Sequence, residues 1–419
     1  MLNKTSTELI TFFIENKCLS KIKTTKYTRT LLITLLSLLT KADEYVRTIR
    51  GSAEFQPAIF KIKHMNDIPK STIFSQGTTP KHIEDHIHSH SMYYIKYQFS
   101  LFQRKINIYF IVQDHFKINV YNEYAERILM WLHILHTHSS VSCSSKLNVI
   151  IYFTRMEKLL PRPSDKTHIL DENNINTAYT YSCRINNDIV IYRKEEWFKV
   201  FIHETFHSFG LDFSGKDTYI TKERMLQIFN VNSQVNLFEA YTEFWARIIN
   251  AAFTGYYITL GTKRIGNVYI DKTQTPIFIG KCEMLIYLEQ LYSCFQMVKI
   301  LNYMKIEYDD IIDFSRHSSV KMKYRENTNV LSYYVIANVL MYNCQSFLLW
   351  CKNNNDSLFQ SKYSSSYQIN LCNFINFHYN HPDFIRGIHC IRNSFIQLKQ
   401  EHRHVNLRNN LRMTICELE

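Results

Sequence analysis

Two histidines and a glutamate near the middle of the chain have the spacing of a metal-dependent hydrolytic centre. The segment reads His203-Glu204-Thr205-Phe206-His207. Residues four apart on an α-helix lie one above the other on the same face, so both imidazoles can reach one ion. Glu204 adjoins a ligand without being one, which suits it to accept a proton from water. The segment therefore predicts a Zn²⁺ site with Glu204 as its catalytic base.

The helix that would carry this segment is predicted from about 194 to 209. Glu195 and Glu196 fall in its first turn and Gly210 comes just past its end, where start and stop signals belong. Its apolar residues fall on the side opposite the histidines: Phe198, Ile202 and Phe209. That apolar side would seat the helix and leave the histidines facing a cleft.

A hydrolytic zinc site needs a third protein ligand besides an open position for water. A second predicted helix, from about 236 to 252, carries Glu239 and Glu243 four residues apart. Packed against the first helix, it could aim one carboxylate at the metal and let the other accept the spare N–H of a ligand histidine. Asp212, five residues after His207, is also near enough to the histidines in sequence to be a metal ligand. The residues themselves leave these three carboxylates open as the third ligand.

This order of motifs resembles the gluzincins, the thermolysin and neprilysin group of zinc peptidases, in which HExxH precedes a helix bearing ExxxD or ExxxE. The resemblance covers roughly residues 90 to 255, with Glu243 where Asp is commoner. It implies that Glu239 binds zinc and Glu243 orients a zinc-bound histidine. It also implies an edge strand at 188 to 193 that pairs with the substrate backbone, and hydrolysis of peptide bonds in a peptide or protein substrate.

The residues after His207 also resemble part of the metzincin extension, HExxHxxGxxH. Gly210 is in register, but Phe213 occupies the place of the third histidine and Asp212 comes one residue early. Asp212 therefore stays an alternative third ligand.

A donor that stabilises the oxyanion is expected from the far side of the cleft. The polar stretch from 323 to 334, which leads into an apolar helix, supplies three candidates: Arg325, Tyr333 and Tyr334.

Strand-like segments rich in β-branched and aromatic residues are concentrated before the first active-site helix: 93–101, 105–112, 147–153, 177–183 and 188–193. The pattern predicts an α+β protein with an N-terminal helical lobe and connector over 1–80. A zincin-like domain with a small mixed sheet would follow over 81–260, and a mainly helical C-terminal lobe over 261–419.

Composition favours an ordered globular chain, with 46% hydrophobic residues, nine Gly and seven Pro. The net charge is +12, but Lys and Arg are spread from end to end, so no clear nucleic-acid partner is expected. The most apolar run, 31–39, is too short for a transmembrane segment.

Ten cysteines without a CxxC pair indicate reduced, mostly buried thiols. The start of the chain lacks the basic-then-apolar order of a secretory signal. Both features favour an intracellular, cytoplasmic protein, and a faint resemblance to proteins of large DNA viruses extends this to a host cytoplasm. The main alternative to a peptidase is a catalytically silent zincin-fold interaction protein.

Overall fold

The computed structural model describes residues 2–15, 24–72, 74–162, 169–216, 218–261, 270, 273–400 and 405–418. The strands of this part of the chain are β1 (Ala58–Lys61), β2 (Tyr93–Leu101), β3 (Arg104–Val112), β4 (Lys146–Tyr152), β5 (Ala178–Thr180) and β6 (Asn186–Ile191). Its helices are α1 (Lys4–Glu15), α2 (Lys26–Arg50), α3 (Lys81–His90), α4 (Ile118–Leu135), α5 (Glu172–Ile175), α6 (Trp197–Ser208), α7 (Tyr219–Leu226), α8 (Leu237–Leu260), α9 (Thr275–Tyr303), α10 (Tyr308–Ile312), α11 (His317–Lys323), α12 (Ala337–Tyr342), α13 (Cys344–Asn354), α14 (Ser365–His378), α15 (Pro382–Gln400) and α16 (Val405–Asn409). A π-helical turn, Leu331–Ile336, precedes α12.

The six strands form one mixed sheet in the order β1-β2-β3-β4-β6-β5. The pairs β1–β2, β2–β3 and β5–β6 are antiparallel, whereas β3–β4 and β4–β6 are parallel. Beyond α8 the regular elements of the described residues are helices. The predicted α+β class and mixed sheet are therefore confirmed.

The predicted edge strand at 188–193 is wrong. That segment belongs to β6, which lies between β4 and β5. The edge on the side of α6 is β5, a strand of three residues that packs against α6. The sequence did predict a strand over 177–183, but the outer position of 188–193 was implied only by the resemblance, since strand order depends on tertiary pairing.

The larger of two apolar clusters contains residues of all three predicted lobes, from Leu9 in α1 to Cys416. The smaller one joins α3 to β3, β4 and β6. The lobe boundaries at 80 and 260 stay a prediction. None of the helices in the described segments has the length and apolarity needed to cross a bilayer.

The helix α6 follows β6 after a short turn and packs against α8, β6 and β5. It begins at Trp197, so Glu195 and Glu196 precede it rather than forming its first turn. Gly210 follows its end with a φ of +66°, a conformation that glycine adopts without strain. A Cβ at Gly210 would lie 3.4 Å from Cys143 Sγ, an ordinary van der Waals contact, so the backbone conformation and not crowding favours glycine here.

One hydrogen bond joins α6 to α4 within the core. Trp131 Nε1 donates to Thr205 Oγ1 over 2.8 Å, and both side chains are fully buried. Buried polar groups are costly when they lose their partner, so this bond fixes how α6 sits on α4.

Replacing Thr205 by valine keeps the side-chain shape but leaves the indole N–H unpaired. We expect Thr205→Val to lower the free energy of unfolding by about 1–3 kcal/mol in urea titrations. Thr30→Val, on the exposed side of α2, is the matched control and should change the free energy of unfolding by less than about 0.5 kcal/mol. Equal effects of the two substitutions would contradict this role for Thr205.

Candidate metal centre

Three side chains from α6 and α8 converge on one point. His203 Nε2 lies 3.1 Å from Glu239 Oε2 and 3.2 Å from His207 Nε2, and His207 Nε2 lies 3.4 Å from Glu239 Oε2. Each of the three residues is at most 9% exposed. Within the described residues, this is the one group of three or more His, Cys, Asp or Glu side chains close enough to hold a metal ion.

The three distances fit the spacing of ligands around a tetrahedral ion. With bonds of about 2.0–2.1 Å to zinc, neighbouring ligand atoms of a tetrahedron lie about 3.3–3.4 Å apart. The observed separations of 3.1–3.4 Å are close to this spacing.

Asp212 lies on the other side of His207 from this point. Its Oδ2 is hydrogen-bonded to His207 Nδ1 and also accepts from Thr242 Oγ1 over 3.3 Å. Its Oδ1 accepts from the amide and the hydroxyl of Ser214. Asp212 thus orients the ring of His207 and leaves Nε2 facing Glu239.

Glu243 has the equivalent position beside His203. Its Oε2 lies 3.2 Å from His203 Nδ1. Lys199 Nζ donates to both oxygens of Glu243 at 3.0–3.1 Å, and Arg247 Nε donates to Oε1 over 2.8 Å. Of the three carboxylates left open by the sequence, the fold therefore brings Glu239 to the Nε2 atoms, while Glu243 and Asp212 contact the Nδ1 sides.

The electrostatics of the centre favour positive charge among its carboxylates. Burial by itself lowers the pKa of His207, but Asp212 and Glu239 raise it well above its usual value. The pKa of His203 is likewise raised, against the effect of burial, by Glu239 and Glu243. Burial would raise the pKa of Glu239, yet the two histidines hold it far below its usual value. A cation with three ligands would take the place of the protons that the imidazoles otherwise hold.

Glu204 adjoins the centre but is not part of the ligand group. It is 8% exposed and lines a small cavity together with His203 and Tyr333. Burial raises the pKa of its carboxyl, although the neighbouring histidines oppose the shift. A carboxylate with a raised pKa is a stronger base toward water.

Of the three oxyanion candidates, the fold brings one to the centre. The Tyr333 ring lies 5.8 Å from the His203 ring, measured between centroids. Tyr334 turns away, and its hydroxyl donates to Leu411 O over 2.6 Å. Arg325 is exposed and its Nε donates to Met322 O. Adjacent residues of a helical turn point in different directions, so Tyr333 and Tyr334 could not both face the site.

A disulfide between Cys143 and Cys183 lies at the end of α6. The expectation of reduced thiols is therefore wrong for these two residues. Cys183 N also donates to His207 O over 3.0 Å. The fold joins cysteines 40 residues apart in sequence, and this pairing could not be read from their spacing.

Three further residues support the centre without having been singled out in the sequence. Lys199 and Arg247 neutralise Glu243, and Asn329 Nδ2 donates to Glu239 Oε1 over 3.4 Å. Lys199 lies four residues before His203 and Arg247 four after Glu243, so helical spacing was an available signal for both.

We expect the purified protein to bind one zinc ion per chain, as measured by elemental analysis after removal of excess metal. His207→Ala should abolish binding because it removes a ligand. Asp212→Asn should weaken binding about 10–100-fold, since it loses a carboxylate that orients His207.

The control is His115→Ala, which changes an exposed histidine and should bind zinc as the wild type does. A wild-type protein that takes up no metal, or a His207→Ala variant that keeps it, would contradict the assignment.

Comparison of the chain with protein-family models, with curated proteins and with solved structures found no match. The chemistry of this centre is therefore inferred from its own geometry.

Proposed function

We propose that the protein is a zinc-dependent peptidase of the zincin type, with His203, His207 and Glu239 as metal ligands and Glu204 as the catalytic base. The observation that carries this proposal is the triangle of two imidazole nitrogens and one carboxylate oxygen at 3.1–3.4 Å, with a non-ligand glutamate beside it. Two His and one Glu are a ligand set found in hydrolytic zinc sites, where the remaining position stays open.

A zinc ion held by these ligands would supply Lewis acidity, which polarises a carbonyl group and makes a water molecule acidic near neutral pH. Glu204 would accept a proton from that water and return it to the departing amine. Asp212 and Glu243 would hold the two imidazoles in their orientation throughout, each from its Nδ1 side.

Substrate binding is proposed along β5, the edge strand beside α6. An extended peptide can pair with the free side of such a strand through main-chain hydrogen bonds. Ala178, the first residue of β5, lines the same cavity as Glu204, so a peptide paired there would pass close to the base.

A second candidate is a zinc-binding interaction protein without activity. The low exposure of the centre favours it, since His203, Glu204, His207 and Glu239 are each at most 9% exposed. The two functions predict different results when Glu204 is replaced: a peptidase loses hydrolysis, whereas a protein without activity has no hydrolysis to lose.

For a peptidase, Glu204→Gln should retain zinc and lose peptide hydrolysis by about 100-fold or more, because glutamine has the shape of the base but cannot accept the proton. Cleavage of a fluorogenic peptide mixture and zinc content are the two measurements. Glu172→Gln, at an exposed position in α5, should leave both unchanged. Zinc-loaded wild type without activity on any peptide would favour the silent protein.

Tyr333 is proposed to donate a hydrogen bond to the oxyanion that develops from the scissile carbonyl. Tyr333→Phe should then lower kcat about 100-fold with little change in KM. The adjacent Tyr334→Phe is the matched control: it removes a buried hydrogen bond to Leu411 O and should cost about 1 kcal/mol of stability while keeping kcat. If the two variants lose kcat equally, the assignment of Tyr333 is wrong.

A further inference from the structure

A cavity of about 40 Å³ lies directly beside the proposed hydrolytic centre. His203 and Glu204 form one wall, and Ala178, at the start of the edge strand β5, forms another. A peptide bond held against Glu204 by a chain paired to β5 would thus have a neighbouring side chain at the mouth of this cavity.

The wall of the cavity includes residues from three distant parts of the chain. Val200 comes from α6, Tyr333 from the π-helical turn, and Met413 from the segment that follows α16. Val200 and Met413 are 6% and 4% exposed. These side chains are packed in the core, so the cavity cannot widen without a cost in packing.

Apart from the side chains of the proposed centre itself, the charged groups in the wall have ion-pair partners. Lys158 is ion-paired with Glu196, and Lys199 with Glu243, and all four residues are at most 3% exposed. A substrate carboxylate entering here would leave water without finding a free counterion. An ammonium would meet only Glu204, the carboxylate that the proposed reaction uses as its base. The cavity therefore disfavours charged side chains of either sign.

The size of the cavity limits the side chain further. A space for one water molecule is about 10–15 Å³, so 40 Å³ takes about three groups of that size. Alanine, serine, threonine and valine side chains are within this limit. Leucine, phenylalanine and the long charged side chains exceed it.

We propose that this cavity receives the substrate side chain next to the scissile bond and selects small, uncharged residues, with Met413 as part of the wall that limits its size. This inference rests on the proposed peptidase function and adds the class of substrate to it.

The test uses zinc-loaded full-length protein and a set of peptides that differ at one position, with cleavage sites mapped by mass spectrometry. At one of the two positions flanking the cleaved bond, kcat/KM for alanine or serine should exceed that for leucine, phenylalanine, glutamate or lysine at least tenfold. A preference for large or charged residues at both positions would overturn the inference.

Enlarging the cavity should change this preference. Met413→Ala removes three non-hydrogen atoms. It should raise kcat/KM for the leucine peptide, relative to that for the alanine peptide, about tenfold or more. Met304→Ala is the matched control, since Met304 is also buried, at 5% exposure, but lies at the end of α9 and does not line the cavity. Val200→Ala shortens a side chain of α6 in the cavity wall and is the second test variant, used if Met413→Ala fails to fold. Specificity unchanged from the Met304→Ala control in every folded cavity variant would overturn the inference.

A binding measurement separates failure of this inference from failure of the proposed function. Zinc-loaded Glu204→Gln protein is titrated with the same peptides, each carrying a fluorescent label, and binding is followed by anisotropy. If the wild type cleaves nothing, the peptidase function is refuted, and tighter binding of the small-residue peptides still supports the cavity's selectivity. Equal binding of all peptides contradicts the selectivity even when cleavage occurs.

Discussion

The structure depends on the close approach of two imidazole Nε2 atoms and one carboxylate oxygen inside the protein. Three groups that all carry lone pairs repel one another unless positive charge lies among them. In this chain the Nδ1 side of each histidine already faces a carboxylate, Glu243 for His203 and Asp212 for His207. The Nε2 atoms are consequently directed inward, and the point between them and Glu239 is suited to a cation.

Holding this arrangement requires that the surrounding charges be neutralised. Glu243 alone would be costly to bury, but Lys199 and Arg247 neutralise it from one turn before His203 and one turn after Glu243. Glu196 accepts hydrogen bonds from the amides of Met413 and Thr414, which binds the segment after α16 to the start of α6. Residues more than 200 positions after Glu196 thus help to hold α6 in place.

The segment before the π-helical turn also packs against the centre and its surroundings. Arg325 O and Asn327 N pair with the main chain of Leu170. Thr328 Oγ1 donates to Asn176 Oδ1 over 3.0 Å, and Asn329 contacts Glu239. Residues predicted to belong to a separate helical lobe therefore complete the site, which explains its low exposure and the small volume of the adjoining cavity.

The amino-acid sequence by itself determined the parts of this protein that depend on local geometry. The HExxH spacing places His203 and His207 on one helical face, and the pattern of β-branched residues predicted the sheet and its α+β class. These are properties of a few consecutive residues, so helical and strand periodicity suffice to predict them. Glu239 and Glu243 fall on one helical face for the same reason.

Which carboxylate faces the ion position was decided by the tertiary structure alone. Glu239, Glu243 and Asp212 are all within reach in sequence, and the crossing of α8 over α6 separates their roles. The same holds for β5 as the edge strand, for the Cys143–Cys183 pair, for the choice of Tyr333 over Tyr334, and for Met413 in the cavity wall. Each depends on contacts between segments distant in sequence, and no local pattern encodes how such segments pack.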